Sequence, residues 1–187
     1  MYVKELILYM KKQNYLPKIL SLGLVFFIIG FQSLKAQGEK KTESLEWHTD
    51  LMKADELSKK TKKPIFAFFT GSDWCGWCIK LQNEVFSKPE FIDWAKKNVI
   101  LLELDFPRRK QLSPELTAQN NSMQQAFNVT GYPVVWIFNT VKNNKEKKFI
   151  IDSFGSLGYP VGAEPGKEEV KFLEDANKIL SSKQPAK

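Results

Sequence analysis

The chain has 187 residues, of which 43% are hydrophobic and 26% are charged. This composition is typical of one folded domain and excludes a disordered chain. Five of the 28 Lys and Arg residues and one of the 21 Asp and Glu residues lie in residues 1–36, which leaves 23 and 20, so the net charge of +7 falls to +3 beyond that segment. The remainder has no basic patch interleaved with aromatic residues, and we therefore expect no nucleic-acid binding.

Residues 1–36 have the pattern of a signal peptide. Lysines precede the apolar stretch 19–31, which is too short for a comfortable transmembrane helix. Ala36 is the small residue after which a peptidase would cut. We therefore predict export to the periplasm, where disulfides persist, with an uncleaved membrane anchor as the alternative. Residues 37–44 are polar and charged and are predicted to be a disordered lead-in.

A short strand is predicted at Trp47, followed by a helix to about Lys62. Thr49 or Asp50 is suited to cap that helix, because its side-chain oxygen can accept a free backbone N–H. The single histidine, His48, lies just before the cap. We expect it to be a packing or surface residue; an acid–base role toward the cysteines is the alternative.

The only two cysteines, Cys75 and Cys78, are separated by two residues. Residues 64–70 form an apolar and aromatic run that predicts a buried strand, residues 71–73 are turn formers, and residues 79–86 predict a helix. Cys75 should therefore stand at a helix N-terminus, where free N–H groups and the macrodipole favour a thiolate. Because the thiolate is the attacking species in disulfide exchange, we predict Cys75 to be the exposed nucleophile.

The same cysteine spacing also serves metal binding and structural disulfides. A c-type haem site needs His at residue 79, where this chain has Ile. A structural zinc site needs four ligands, whereas the chain offers two Cys and one His. An inert disulfide would close a loop too short to constrain the unfolded chain strongly. We therefore favour redox exchange, without a metal or a cofactor.

Further along the chain, residues 87–90 (SKPE) have the pattern of a capping box with Pro in the first turn of a helix. A buried strand is predicted over 98–104. Residues 105–110 form a loop whose basic triplet, 108–110, is expected to be solvated, with docking to an acidic partner as the alternative. A further helix is predicted to run from Ser113 to Phe127.

The last part of the chain is predicted to contain a central strand over 134–138, a charged turn over 142–148 and a paired edge strand over 149–151. A terminal helix follows over 168–180. Its predicted inward-facing residues are Val170, Leu173 and Leu180. Strands and helices that alternate and then give way to a hairpin predict an α/β sandwich with a mixed central sheet.

Two stretches resemble the thioredoxin superfamily. Residues 64–86, which contain the sequence WCGWC, resemble its active site, and residues 127–138 (FNVTGYPVVWIF) resemble its cis-proline segment. The sequence GSDWCGWC is similar to exported bacterial thioredoxin-like proteins related to the reducing domains of periplasmic disulfide reductases. The resemblance covers roughly residues 45–181. It implies that residues 45–187 form a thioredoxin-like three-layer sandwich, with helices on both sides of a mixed sheet.

The resemblance implies a thiol–disulfide oxidoreductase in which Cys75 attacks a substrate disulfide and Cys78 resolves the mixed disulfide. A cis Tyr132–Pro133 bond would lie opposite Cys75 and let the Tyr132 backbone pair with an extended substrate.

The resemblance also implies that residues beside the thiols contact substrate, namely Trp74, Gly76 and Trp77. Packing on the sheet edge is the alternative for both tryptophans. The stretch between the helix that contains Cys78 and Pro133 is longer than in a minimal thioredoxin, and residues 103–118 are therefore predicted to form a family-specific rim.

The chain departs from the family at the carboxylates that exchange protons with the second cysteine. Ala67 best matches the buried Asp of thioredoxins, and Gln82 stands where the related reductases often carry Glu. Glu84 and Asp73 are candidate substitutes. Proton transfer at Cys78 is the step that these departures put in question.

The resulting prediction is a reductase or isomerase of exported protein disulfides, acting as a monomer with a membrane-bound electron donor. One alternative is a binding or chaperone module with an incidental disulfide. The second alternative is a thiol peroxidase. Such an enzyme would need an Arg and a Thr beside the cysteine, and in the sequence only Thr70 lies near the motif.

Overall fold

The structure is a computed structural model, and it describes residues 45–143 and 148–183. The predicted signal peptide (1–36), the predicted lead-in (37–44) and the middle of the predicted turn at 142–148 lie outside these residues. Within them, no helix is long and apolar enough to cross a bilayer.

The helices and strands follow the predicted order, but the last two strands are both longer than expected, and Lys142 and Asn143, predicted to lie in the turn, belong to the first of these two. In chain order they are β1 (Trp47–His48), α1 (Leu51–Thr61), β2 (Ile65–Thr70), α2 (Gly76–Leu81) continued by a π-helical turn (Gln82–Phe86), α3 (Pro89–Asn98), β3 (Ile100–Asp105), α4 (Pro114–Ala126), β4 (Val134–Asn143), β5 (Lys148–Leu157) and α5 (Glu168–Ser182).

The strands form one mixed sheet in the order β1-β3-β2-β4-β5. Strands β1 and β2 both pair in parallel with β3, whereas β4 is antiparallel to β2 and to β5. The predicted mixed sheet is therefore confirmed. All six residues of β2 are buried, as expected for a central strand covered by helices on both faces.

Side chains that alternate along β2 divide the core into two clusters. Phe66 and Phe68 point to one face, where the cysteines, α2, α3 and α5 pack; we call this the dithiol face. Ile65, Ala67 and Phe69 point to the other face, where α1 and α4 pack. The three-layer thioredoxin-like sandwich is thus confirmed.

One predicted helix cap forms, another cap forms at the predicted start of α4, and a third predicted cap does not form. Asp50 accepts the Met52 N–H at 2.7 Å and Ser113 accepts the Leu116 N–H at 3.3 Å. The capping box at 87–90 is wrong: Lys88 is the N-cap and makes no side-chain bond, although Pro89 does lie in the first turn. Ser87 ends the π-helical turn that precedes α3, and its hydroxyl donates to the Asn83 carbonyl at 2.7 Å. It therefore does not cap α3.

The inward face of α5 differs from the prediction. Val170 is 45% exposed, whereas Phe172 and Ala176 are buried in the core. Phe172 and Ala176 are four residues apart and share one side of the helix, while Val170 lies about 200° around the helix from Phe172. Leu173 and Leu180 are half-buried against the dithiol-face core, as predicted.

Candidate active site

Cys75 and Cys78 form a disulfide at the start of α2. Cys75 is the N-cap residue, with an extended backbone (φ −84°, ψ 97°), and its Sγ accepts the Cys78 N–H at 3.2 Å. Its own N–H donates to the Gly71 carbonyl at 2.8 Å, which anchors the turn from β2. The sulfur thus lies at the positive end of the helix, the position that favours a thiolate once the disulfide is reduced.

The two cysteines differ in exposure. Cys75 is 6% exposed and Cys78 is fully buried. The expectation of an exposed Cys75 is therefore wrong for the disulfide form, because both cysteines pack into the dithiol-face core. The small remaining exposed surface of the pair belongs to Cys75.

The Tyr132–Pro133 peptide bond is cis, as the resemblance implied. Tyr132 packs edge-on against Trp74, with ring centroids 5.9 Å apart, and stacks on Phe106 at 5.2 Å. Its hydroxyl accepts a hydrogen bond from Gln124 at 2.9 Å. Partial burial raises the pKa of the Tyr132 phenol, so this group stays neutral at physiological pH. The segment before β4 therefore meets the dithiol motif through Trp74.

Trp74 is enclosed on several sides. Its Nε1–H donates to the Phe106 carbonyl at 2.8 Å, and the Arg108 guanidinium lies 3.8 Å from its ring centroid. A Cβ placed on Gly71 would lie 2.4 Å from Cε2 of the indole, so only glycine fits beneath the ring. Trp74 is therefore packed between the turn after β2 and the loop after β3.

Trp77, between the two cysteines, is 57% exposed. Its ring meets Tyr159 edge-on at 5.0 Å, and Lys80 Nζ lies 5.1 Å from its centroid. The Tyr159 hydroxyl donates to the Glu84 carboxylate. Desolvation, followed by this hydrogen bond to Glu84, raises the pKa of Tyr159. Trp77 thus offers an aromatic surface to solvent.

Ala67, which best matched the carboxylate position of thioredoxins in the sequence, does not point toward the cysteines. The Ala67 side chain lies on the face opposite the cysteines, and Phe68 holds the dithiol-face position. The two candidate substitutes have other partners: Glu84 binds Tyr159, and Asp73 accepts backbone N–H groups of residues 108–110. None of these residues places a carboxylate on Cys78.

Asp73 holds the start of the rim loop that leaves β3. It accepts N–H groups from Arg108 at 3.0 Å, Arg109 at 2.7 Å and Lys110 at 3.3 Å. The Arg108 N–H is the largest of the effects that hold the pKa of Asp73 below its ordinary value of 3.8. This aspartate, two residues before Cys75, thus fixes the rim beside the dithiol.

A second carboxylate joins the same two segments. Asp105 accepts the Ser72 N–H at 2.8 Å and the Ser72 hydroxyl at 2.7 Å, and it pairs with Lys110 at 2.8 Å. Sequence reasoning missed this contact. The signal that could have found it is the parallel pairing of β2 and β3, which brings the carboxyl ends of both strands to one edge.

Glu103 is a second acidic residue that sequence reasoning missed. It pairs in register with Phe68 and follows Leu101 by two residues, so it points to the dithiol face. Burial, and secondarily the negative charge of Asp105, raise the pKa of Glu103. A carboxyl that holds its proton to a higher pH therefore lies on the side of the sheet where the cysteines pack.

His48 is 8% exposed in β1, in register with Leu102, and its Nδ1 lies 3.7 Å from the Glu46 carboxylate. It lines a small cavity with Ala95 and Val99. This environment agrees with the packing role expected for it.

Comparison with known proteins identifies relatives of this arrangement. The Thioredoxin-like family model matches residues 46–140, a range that includes the dithiol and the cis-proline. The chain is 34% identical over 123 residues to "Disulfide bond reductase DsbH" of Chlamydia pneumoniae, with 66% of each chain covered. It is 25% identical over 145 residues to "Thioredoxin-related protein DsbJ" of Chlamydia pneumoniae, covering 78% of this chain and 41% of DsbJ. The chain thus spans slightly less than two thirds of the first relative and less than half of the second.

Solved structures support the same fold. A structure titled "DsbH Oxidoreductase" superposes with a TM-score of 0.60 and 28% identity, covering 80% of this chain and 98% of that one. A thioredoxin from Thermus thermophilus gives a TM-score of 0.51 at 14% identity, covering 73% and 88%. The second likeness speaks for the fold alone.

Proposed function

This chain belongs to the thioredoxin-like family, and we propose that it is a thiol–disulfide oxidoreductase that reduces or isomerises disulfides of exported proteins. The observation that carries the proposal is the Cys75–Cys78 disulfide at the N-terminus of α2, with Cys75 as the N-cap. The likeness to a protein named a disulfide bond reductase supports the reducing direction.

In the proposed reaction, the Cys75 thiolate of the reduced protein attacks one sulfur of a substrate disulfide. The substrate S–S bond breaks, a Cys75–substrate disulfide forms, and the displaced sulfur leaves as a thiolate that takes a proton. Cys78 loses its proton and attacks Cys75 Sγ, which releases the second substrate thiolate and closes the Cys75–Cys78 disulfide. Cys78 is fully buried, so its attack is confined to the neighbouring sulfur.

The proposed substrate surface lies around Cys75. A Cβ on Gly76 would meet nothing within 4 Å, which leaves open space over the first residue of α2. Trp77 supplies an exposed ring on one side of that space. On the other side we propose that the Tyr132 backbone and Pro133 receive an extended substrate segment, while Trp74 supports Tyr132 from below.

The proposal extends to location and partners. We propose that residues 1–36 are cleaved on export, that residues 45–187 act as one domain, and that a membrane-bound donor returns electrons to the monomeric protein. The apolar stretch 19–31 after a basic segment supports export. Mass spectrometry of the mature protein should find Gln37 at the N-terminus; an intact N-terminus in the membrane fraction would favour the anchor.

Insulin reduction in the presence of dithiothreitol tests the activity. We expect the wild-type protein to accelerate it and Cys75→Ser to abolish the acceleration. Cys78→Ser should retain attack and accumulate a mixed disulfide visible on a non-reducing gel. A wild-type protein that binds unfolded insulin without reducing it would support the binding module instead.

Peroxide turnover by the wild-type protein tests the remaining alternative. No Arg lies near the motif in the sequence, but in the structure Arg108 covers Trp74. Thr70, however, is fully buried at the end of β2 and is closed to a peroxide from solvent. We therefore expect no peroxide consumption above the rate of the free dithiol reagent.

A further inference from the structure

Arg108 lies at the edge of the proposed substrate surface. Its guanidinium carbon is 3.8 Å from the centroid of Trp74, the residue that directly precedes Cys75. Arg108 itself is exposed. Contact with an aromatic ring occupies the planar face of a guanidinium and leaves its N–H donors directed outward. A cation with free donors therefore lies against the residue that precedes Cys75.

The position of Arg108 is built into the rim. Its backbone N–H donates to Asp73 at 3.0 Å, and the next N–H, from Arg109, donates to the same carboxylate at 2.7 Å. Two residues earlier, the Phe106 carbonyl accepts the Trp74 indole N–H at 2.8 Å. Because the backbone is held on both sides of the residue, less conformational freedom is lost when Arg108 binds a partner.

The Arg108 charge has no carboxylate partner within 4.0 Å among residues 45–143 and 148–183. Two other cations have a carboxylate partner: Lys110 pairs with Asp105 at 2.8 Å, and Lys80 lies 3.9 Å from Glu84. The Asp73 carboxylate accepts backbone N–H groups instead. Arg108 is thus a positioned cation that remains available to a ligand.

We propose that Arg108 makes this site select disulfides flanked by an acidic side chain in the substrate polypeptide. The inference rests on the proposed oxidoreductase activity of Cys75 and Cys78. A guanidinium recognises a carboxylate through two parallel hydrogen bonds. An exposed pair of this kind changes a rate constant by about two- to fivefold, and salt screens it.

Three cystine peptides of one sequence provide the test, with Glu, Gln or Lys beside the cysteine. We expect the kcat/KM of the wild-type protein to be about two- to fivefold higher for the Glu peptide than for the Gln peptide, and lowest for the Lys peptide. In Arg108→Gln the Glu-to-Gln ratio should fall to about 1. Arg109→Gln removes a neighbouring exposed charge and should keep the wild-type ratio. High salt should lower the Glu-to-Gln ratio of both the wild-type protein and Arg109→Gln.

The outcomes separate the selection from the activity itself. Equal rates on all three peptides with the wild-type protein, or an unchanged ratio in Arg108→Gln, would overturn the selection and leave the oxidoreductase intact. A loss of rate that is equal on all three peptides in Arg108→Gln would overturn it too, since Arg108 would then only support Trp74. No turnover of any peptide by the wild-type protein would contradict the proposed function, and the selection with it.

Discussion

The two tryptophans that flank the dithiol have the same side chain and opposite environments. Trp74 is enclosed by Gly71, Tyr132 and Arg108 and donates its indole N–H to a backbone carbonyl. Trp77 is 57% exposed; its ring meets Tyr159 edge-on and lies beneath Lys80 Nζ. One ring therefore joins the active-site turn to the rim, and the other is available to bind. We therefore propose a structural role for Trp74 and a recognition role for Trp77, three positions later.

Truncation of each ring should separate these roles most clearly. Trp74→Ala removes a packed ring and a hydrogen bond, so we expect the free energy of unfolding to fall by about 3 kcal/mol, the low end of the range for buried aromatics, because Trp74 is only partly buried. Trp77→Ala should change it by less than about 1 kcal/mol while raising KM for insulin. Urea unfolding of the oxidised proteins measures both. Equal losses would contradict the distinction.

A glycine pair should give a smaller difference of the same kind. Gly71→Ala forces a methyl group against the Trp74 indole, 2.4 Å from Cε2, so the ring must shift. We expect a loss of about 1–3 kcal/mol in stability, as for other overpacked sites. Gly76→Ala is the matched control, because nothing lies within 4 Å of its Cβ and it begins a helix. Thermal unfolding should rank Gly71→Ala well below Gly76→Ala; the reverse order would remove Gly71 from the support of Trp74.

The smallest expected effect concerns pH at the rim. Hydrogen bonds from backbone N–H groups keep the pKa of Asp73 below 3.8, so its contribution to loop order is present above the unfolded pKa and is lost as pH falls through the folded value. The amide resonances of Arg108 and Arg109 should therefore titrate with a midpoint below 3.8. Asp73→Asn should abolish that titration. A midpoint at or above 3.8 would mean that the carboxylate does not hold the rim.

Parts of this site could be predicted because their signals are local. The cysteine spacing, the strand before it and the turn residues between them indicated Cys75 at a helix start, and the Tyr132–Pro133 segment indicated the cis bond. Ala67 was placed on the wrong face because β2 is buried on both sides and has no polar alternation to show which residues share a face. Sequence periodicity shows which residues of a strand share a face only where one face is exposed to solvent.

The contacts that distinguish Trp74 from Trp77 carry no such local signal. Asp73 and Arg108 are 35 residues apart, and Trp74 and Phe106 are 32 apart. They meet because β2 and β3 pair in parallel and bring their carboxyl ends together. A charged triplet at 108–110 has the composition of a solvated loop, and only its anchoring on Asp73 shows that Arg108 is held against the active site. The pairing of β2 with β3 determines which residues the rim contacts, and the composition of the loop does not reveal that pairing.

The direction of electron flow tests the account most directly. The residues between the cysteines, Gly76 and Trp77, carry no charge to support the Cys75 thiolate, and the nearby Lys80 lies 3.9 Å from the Glu84 carboxylate. A thiolate with only modest support favours the disulfide and lowers the reduction potential. Equilibration with glutathione buffers, read by tryptophan fluorescence, gives that potential. The account predicts a value between about −270 and −180 mV, as in thioredoxin and disulfide isomerase, and a value above about −150 mV would contradict it and indicate a disulfide-forming enzyme.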